Sequence, residues 1–267
     1  MRESRDIARQ ITVAASATFA MIGAFVGSGA AGGTPIQNAA GGALAADSTL
    51  IAPDTPAFSI WSVIYLGLIA YAVWQLLPGQ SAAERHRRLG YWVAASLVLN
   101  ALWILSIQFD LLVLSVPIIV VLLAVLIRAF LICLENRPAS TMDALITDGT
   151  MGLYLGWVCV ATAANVTAVL VAAGFDGFGL APEVWAVLVL TVAAAVGVAL
   201  ALRGVGRIAP ALSLAWGLAW VGVGRLGGEP YSVTTGIAAL VAAGLVLVVT
   251  VALRVTRGRA SLESSAA

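Results

Sequence analysis

Tyr154, Trp157, Ala161 and Asn165 stand at offsets of 0, 3, 7 and 11 along the chain. On a helix turning about 100° per residue they gather within roughly 80° of one face. Two large aromatics, one small residue and one amide on a single face could line a flat apolar pocket. Ordinary packing against another helix, with Ala161 permitting close approach, gives the same spacing. A second aromatic set, Phe58, Trp61 and Tyr65, also shares a face. Asn100 and Asn165 each fall deep in an apolar run, where an amide must find a hydrogen bond on a neighbouring helix or a ligand. Trp61, Trp103 and Trp157 lie inside such runs. Trp74, Trp92 and Trp185 lie near run ends and read as interfacial anchors.

No set of residues points to catalysis. There is no clustered Cys/His ligand set, no phosphate-cradling glycine loop and no Gly-x-Ser-x-Gly. The reading is a protein that is not an enzyme, with no catalytic residue, no metal site and no required cofactor. Gly204-Val205-Gly206 reads as a tight turn between helices. Cys133 and Cys159 fall inside or at the end of apolar runs, at a spacing that suits neither a metal nor a structural disulfide. His86, in Arg85-His86-Arg87-Arg88, reads as a solvated loop residue. Asp143 and Asp148 open the fifth run, and Arg128 lies near the end of the fourth on the same side. An ion pair between Arg128 and one of these acids is one reading, and snorkelling of Arg128 to the interface is the plainer one. A proton or ion relay would need a chain of such groups through the bilayer, and the last three runs carry almost none at their centres.

The elements that position these residues follow from composition. Of 267 residues, 61% are hydrophobic and 10% charged, against about 25% charged in soluble domains. Mean hydropathy is +1.01. Apolar runs of about 17 to 24 residues without strand-like alternation predict helices. The fold class is therefore all-α, a polytopic transmembrane bundle of about eight spans, near 10–30, 57–77, 91–109, 111–134, 144–173, 183–202, 208–226 and 233–253. A Gly/Ala/Pro-rich stretch at 31–55 is too polar and broken to span, and reads as a long loop over one mouth of the bundle. Net charge is +1, which gives no basis for nucleic-acid binding; the expected partners are the lipid bilayer and a hydrophobic small molecule. Every basic residue is Arg. Together with the abundance of Ala, Gly and Val, this reads as a bacterial cell-membrane protein.

Charge distribution tests the span list. With the N-terminus inside, Arg2, Arg5, Arg9, Arg85, Arg87, Arg88, Arg137, Arg203, Arg207, Arg254, Arg257 and Arg259 all fall on the cytoplasmic side. Only Arg225 falls outside, alongside Asp47, Asp54, Asp110, Asp176, Glu183 and Glu229. Both termini are then cytoplasmic, and a seven- or nine-span count would misplace the later Arg clusters. A cleavable signal peptide is the rival reading of the first span.

Three segments resemble the tryptophan-rich sensory protein family, also called the translocator protein or peripheral-type benzodiazepine receptor-like family. Pro56-Ala57-Phe58-Ser59-Ile60-Trp61-Ser62-Val63-Ile64-Tyr65 is similar to its Pro-x-Trp pattern followed by Leu/Ile-Tyr. Leu99-Asn100-Ala101-Leu102-Trp103 is similar to its Leu-Asn-x-x-Trp. Tyr154-Leu155-Gly156-Trp157-Val158, then Ala161 and Asn165, is similar to its Tyr-Leu-x-Trp-x-x-x-Ala-x-x-x-Asn. The resemblance implies a five-helix bundle over residues 10–175, with a ligand pocket beneath the long outer loop. Residues 1–9 then form a cytoplasmic segment, 176–255 a three-span extension that could cover the bundle or form a homodimer surface, and 256–267 a disordered cytoplasmic tail.

The resemblance further implies that Trp61, Tyr65, Asn100, Trp103, Tyr154, Trp157, Ala161 and Asn165 line or brace that pocket. The ligand would be flat and hydrophobic, a tetrapyrrole such as a porphyrin or a sterol-like molecule, bound in sensing, regulation or transport. The sequence departs from the family where Thr55 replaces a Trp before the second span, and where Val166-Thr167-Ala168-Val169 lacks a Trp after Asn165. The first departure sets aside the porphyrin photodegradation reported for some relatives. The alternative function is a secondary transporter or permease for a small hydrophobic or amphipathic substrate. Against it, Pro117 and Pro210 are not paired interruptions at equivalent places in two halves.

Overall fold

A computed structural model of the chain describes residues 3–30 and 33–266, with side chains through 257. Arg2, Gly32, the side chain of Arg259 and most side chains of the 256–267 tail lie outside the described residues. The protein is 78% helix, with no strand among the described residues.

Among the described residues, eight helical stretches are long and apolar enough to cross a membrane, the second running Thr55–Trp74, the fifth Thr141–Ala172 and the last Val233–Arg257. The α-helices in them are α1 (Ser4–Gly27), α2 (Ile60–Trp74), α3 (Glu84–Gln108), α4 (Leu112–Glu135), α5 (Thr150–Ala172), α6 (Pro182–Arg203), α7 (Ile208–Gly227) and α8 (Val233–Ala266). A 3₁₀ turn at Thr55–Ser59 leads into α2. Their ends follow local rules. The backbone N–H of Glu3 donates to the Asp6 carboxylate over 2.9 Å at the start of α1, satisfying a donor the helix leaves open. Pro182 opens α6, where a missing N–H costs nothing. The expected turn at Gly204-Val205-Gly206 joins α6 to α7. Gly206 sits there at φ +72°, and a Cβ would lie 2.6 Å from the backbone nitrogen of Arg254.

The chain divides into two compact units. One holds residues 1–45 and 59–151, the other residues 46–58 and 152–267. The division falls inside α5, after Met151.

In the first unit α3 is the central helix. A Cβ on Gly23 of α1 would lie 3.1 Å from the Ala101 Cβ, and one on Gly27 would lie 2.6 Å from Ile104. Small residues thus let α1 lie directly on α3, the usual route to helix association in lipid. Leu97, Ala101, Ile104 and Ile107 of α3, with Ile64 and Leu68 of α2, are buried.

A polar network closes the Arg85 end of this unit. The turn Thr141–Asp143 and the π-helical segment Ala144–Gly149 precede α5. This wider winding brings both acids to Arg85, which donates to Asp143 over 3.3 Å and to Asp148. Asp143 also accepts from the Ala139 N–H and the Thr147 hydroxyl, at 3.0 and 2.8 Å. Arg128 makes neither of the two pairs weighed for it and stays at the surface, in keeping with the snorkelling reading. It donates instead to Glu135 of its own helix over 3.1 Å, at the surface.

His86 departs from the loop reading too. It is fully buried on the first turn of α3, its ring edge-on to Tyr71 at 5.6 Å and its Nε2 3.2 Å from Gln80 Oε1. The helix starts at Glu84, ahead of the apolar run, and its phase turns Arg85 and His86 inward with Leu89 and Gly90. Gln10 and Gln75 complete the network, each side-chain amide donating to the other's backbone carbonyl, at 2.8 and 3.3 Å.

The core of the second unit comprises Leu190 of α6, Leu214, Leu218 and Val221 of α7, Val246 of α8 and Val160 of α5. Close approaches recur here. A Cβ on Gly156 of α5 would collide with the Pro210 carbonyl and the Ser213 hydroxyl of α7, and one on Gly197 of α6 would lie 2.5 Å from Val246. Ile51, from the segment 46–58, is part of the same core. Outward faces in both units carry exposed Leu, Val and Ile, including Leu66, Val113, Val192 and Val248, the surface a lipid solvent requires.

Candidate functional site

Each unit carries half of the sequence-predicted set. Trp61, Tyr65, Asn100 and Trp103 belong to the first; Tyr154, Trp157, Ala161 and Asn165 belong to the second.

In the first unit, Trp61 and Tyr65 lie one turn apart on α2 with ring centroids 5.4 Å apart. The Asn100 amide of α3 donates to the Tyr65 hydroxyl over 2.6 Å. This cross-helix bond is the partner that a mid-membrane amide requires. It uses only the amide nitrogen: the Asn100 Oδ1 is buried and accepts no hydrogen bond from the described residues. Trp103 follows Asn100 by three residues on the same helix face and is also buried.

In the second unit, Tyr154, Trp157 and Asn165 of α5 are buried, and Ala161 is half-buried. Ala161 thus occupies the least covered position of the four. Phe58 meets Trp157 edge to face, with ring centroids 5.8 Å apart and planes at 77°, a geometry that aromatic quadrupoles favour. Phe58 stood out in the sequence only as a neighbour of Trp61 and Tyr65 on one face. Its pairing with Trp157 joins positions far apart in the chain and leaves no local trace.

The segment that carries Phe58 is fastened to α7. Arg225 is buried, and its two terminal nitrogens donate to the carbonyls of Thr49, at 3.0 Å, and Ala46, at 2.7 Å. The Asp54 N–H donates to the Trp220 carbonyl over 3.3 Å. The Trp216 indole donates to the Ala57 carbonyl over 2.9 Å. Sequence reading flagged Arg225 only as the single basic residue among acidic outer segments. Its use as a donor to loop carbonyls explains why an arginine stands there.

Buried aromatics, small residues and a few polar atoms are the ordinary makings of a small-molecule site. Comparison with characterised proteins and with solved structures yields no match. A family model described as TSPO-like protein matches residues 13–252. The match therefore runs well past the motifs of the first five spans and through all three that follow. With the motif residues on helices and eight helices among the described residues long and apolar enough to span, this coverage makes the chain a member of the TSPO-like family of membrane proteins.

Proposed function

We propose that this protein binds a flat hydrophobic ligand, a tetrapyrrole or a sterol-like molecule, among the aromatic residues of its motif helices. Binding would serve sensing, regulation or transport and involves no catalytic step. The observation that carries the reading is the Asn100 oxygen. A buried acceptor left unpaired in an apolar interior costs about 1–3 kcal/mol. A ligand O–H or N–H reaching it would satisfy the acceptor; a sterol hydroxyl, a protonated propionic acid of a porphyrin or the pyrrole N–H of an open-chain tetrapyrrole supplies such a donor. Trp61, Tyr65 and Trp103 stand beside it on α2 and α3, while Phe58 and Trp157 form an aromatic surface of their own within the other unit.

The test is titration of the purified protein with protoporphyrin IX, and separately with a sterol, following tryptophan fluorescence. Saturable quenching by protoporphyrin that weakens in Trp103→Ala and Trp157→Ala is the expected result. Identical quenching in parent and variants would overturn the proposal.

A further inference from the structure

We infer that the C-terminal spans hold the outer segment 46–58 in place through Arg225, which acts as a positioning residue for the ligand site. The inference rests on the ligand-binding reading above and assigns a role to helices that the motif comparison left without one.

Arg225 is buried and forms no ion pair among the described residues. A buried guanidinium without a carboxylate is expensive unless its donors find acceptors. Here two carbonyls of one loop take its terminal nitrogens, while Asp47, Asp54 and Glu229 contribute negative field at longer range. A planar fork that spans two carbonyls in fixed geometry is a property of arginine and not of lysine.

The remaining attachments lie along the same helix. Trp220 and Trp216 sit about one and a half and two and a half turns from Arg225 and take hold of Asp54 and Ala57 in order. A Cβ on Gly224 would lie 3.3 Å from that of Asp54, so the segment runs directly against α7. Ile51 enters the core of the unit between these points. The end of the segment is Phe58, edge-on to Trp157. Its ring is therefore located by a run of backbone that hydrogen-bonds to Arg225, Trp220 and Trp216 of α7. Loosening Arg225 frees the start of that run and lets the aromatic surface over Trp157 shift.

The experiment uses the full chain with Thr49→Cys as a reporter, in a background of Cys133→Ala and Cys159→Ala. Thr49 is buried and supplies its carbonyl to Arg225, so the side-chain change keeps the bond. The rate of reaction with a water-soluble maleimide is measured without ligand. Arg225→Gln is expected to raise it at least about tenfold, and an unchanged rate overturns the clamp. Protoporphyrin IX release is then followed by recovery of tryptophan fluorescence on dilution. Arg225→Gln is expected to speed release about tenfold; faster labelling with unchanged release overturns the positioning role.

If Arg225→Gln does not fold, Trp216→Phe replaces it. The Trp216 ring is partly exposed, and this change removes one donor only. About a threefold effect on both rates is expected, and none on either overturns the inference. A parent protein that takes up no protoporphyrin overturns the ligand-binding reading, while the labelling rates still decide the clamp.

Discussion

Asn100 donates its amide to the hydroxyl of Tyr65 over 2.6 Å while its own oxygen stays buried and unpaired. The two halves of one side chain thus have opposite energetic standing. The nitrogen ties α3 to α2, and the oxygen is a cost in the absence of a partner.

Asn100→Leu removes both halves together. Losing the bond and stranding the Tyr65 hydroxyl costs about 1–3 kcal/mol, and removing the unpaired acceptor returns about as much. The ligand-free variant should melt close to the parent in detergent, while protoporphyrin affinity falls about tenfold, equal to about 1.4 kcal/mol. A variant that melts far lower yet binds unchanged would show Asn100 to be a brace alone.

Tyr65→Phe strands the Asn100 nitrogen as well as its oxygen. The expected loss is about 1–3 kcal/mol of stability, visible as a lower melting temperature with the helical content intact.

Arg85→Met leaves Asp143 and Asp148 without their cation, at side-chain exposures of 1% and 13%. Breaking a buried pair in this way costs about 3–5 kcal/mol. Adding Asp143→Asn and Asp148→Asn should recover most of that loss. Arg128→Ala, which removes only the exposed pair with Glu135, should change stability by less than about 1 kcal/mol. Equal effects of the two arginine variants in chemical unfolding would refute the assignment of partners.

Gly156→Ala places a methyl group on the Pro210 carbonyl and the Ser213 hydroxyl, and overpacking of this kind costs about 1–3 kcal/mol. Gly244→Ala on α8 meets nothing within 4 Å and should be neutral or stabilising, since alanine favours a helix over glycine by about 0.8–1.0 kcal/mol. Membrane yield and melting temperature of the pair check both.

These contrasts show which features the sequence exposed. Span number was legible because hydrophobic length and the distribution of arginine report it independently. The motif residues were legible because Tyr154, Trp157, Ala161 and Asn165 share a face through local periodicity. His86 was misread because flanking arginines suggested solvent, whereas helical phase carries His86 inward. Arg85 was not foreseen as the partner of Asp143 and Asp148, because proximity of helix ends does not specify which arginine faces inward, while Arg128 stays at the surface as the snorkelling reading has it. The placement of Phe58 on Trp157 depends on contacts between remote segments, which no local pattern encodes.

The fastening of Arg225 to Thr49 joins positions 176 residues apart, which imposes an order on biosynthesis. Translation at about 5–20 residues per second leaves the strap without its anchor for roughly 10–35 s after it leaves the ribosome. During that interval Ile51 has no α7 or α8 to receive it. The segment that presents Phe58 can therefore settle only once α7 has been made, and a nascent chain arrested before α7 is expected to be cleaved there more readily than the full chain.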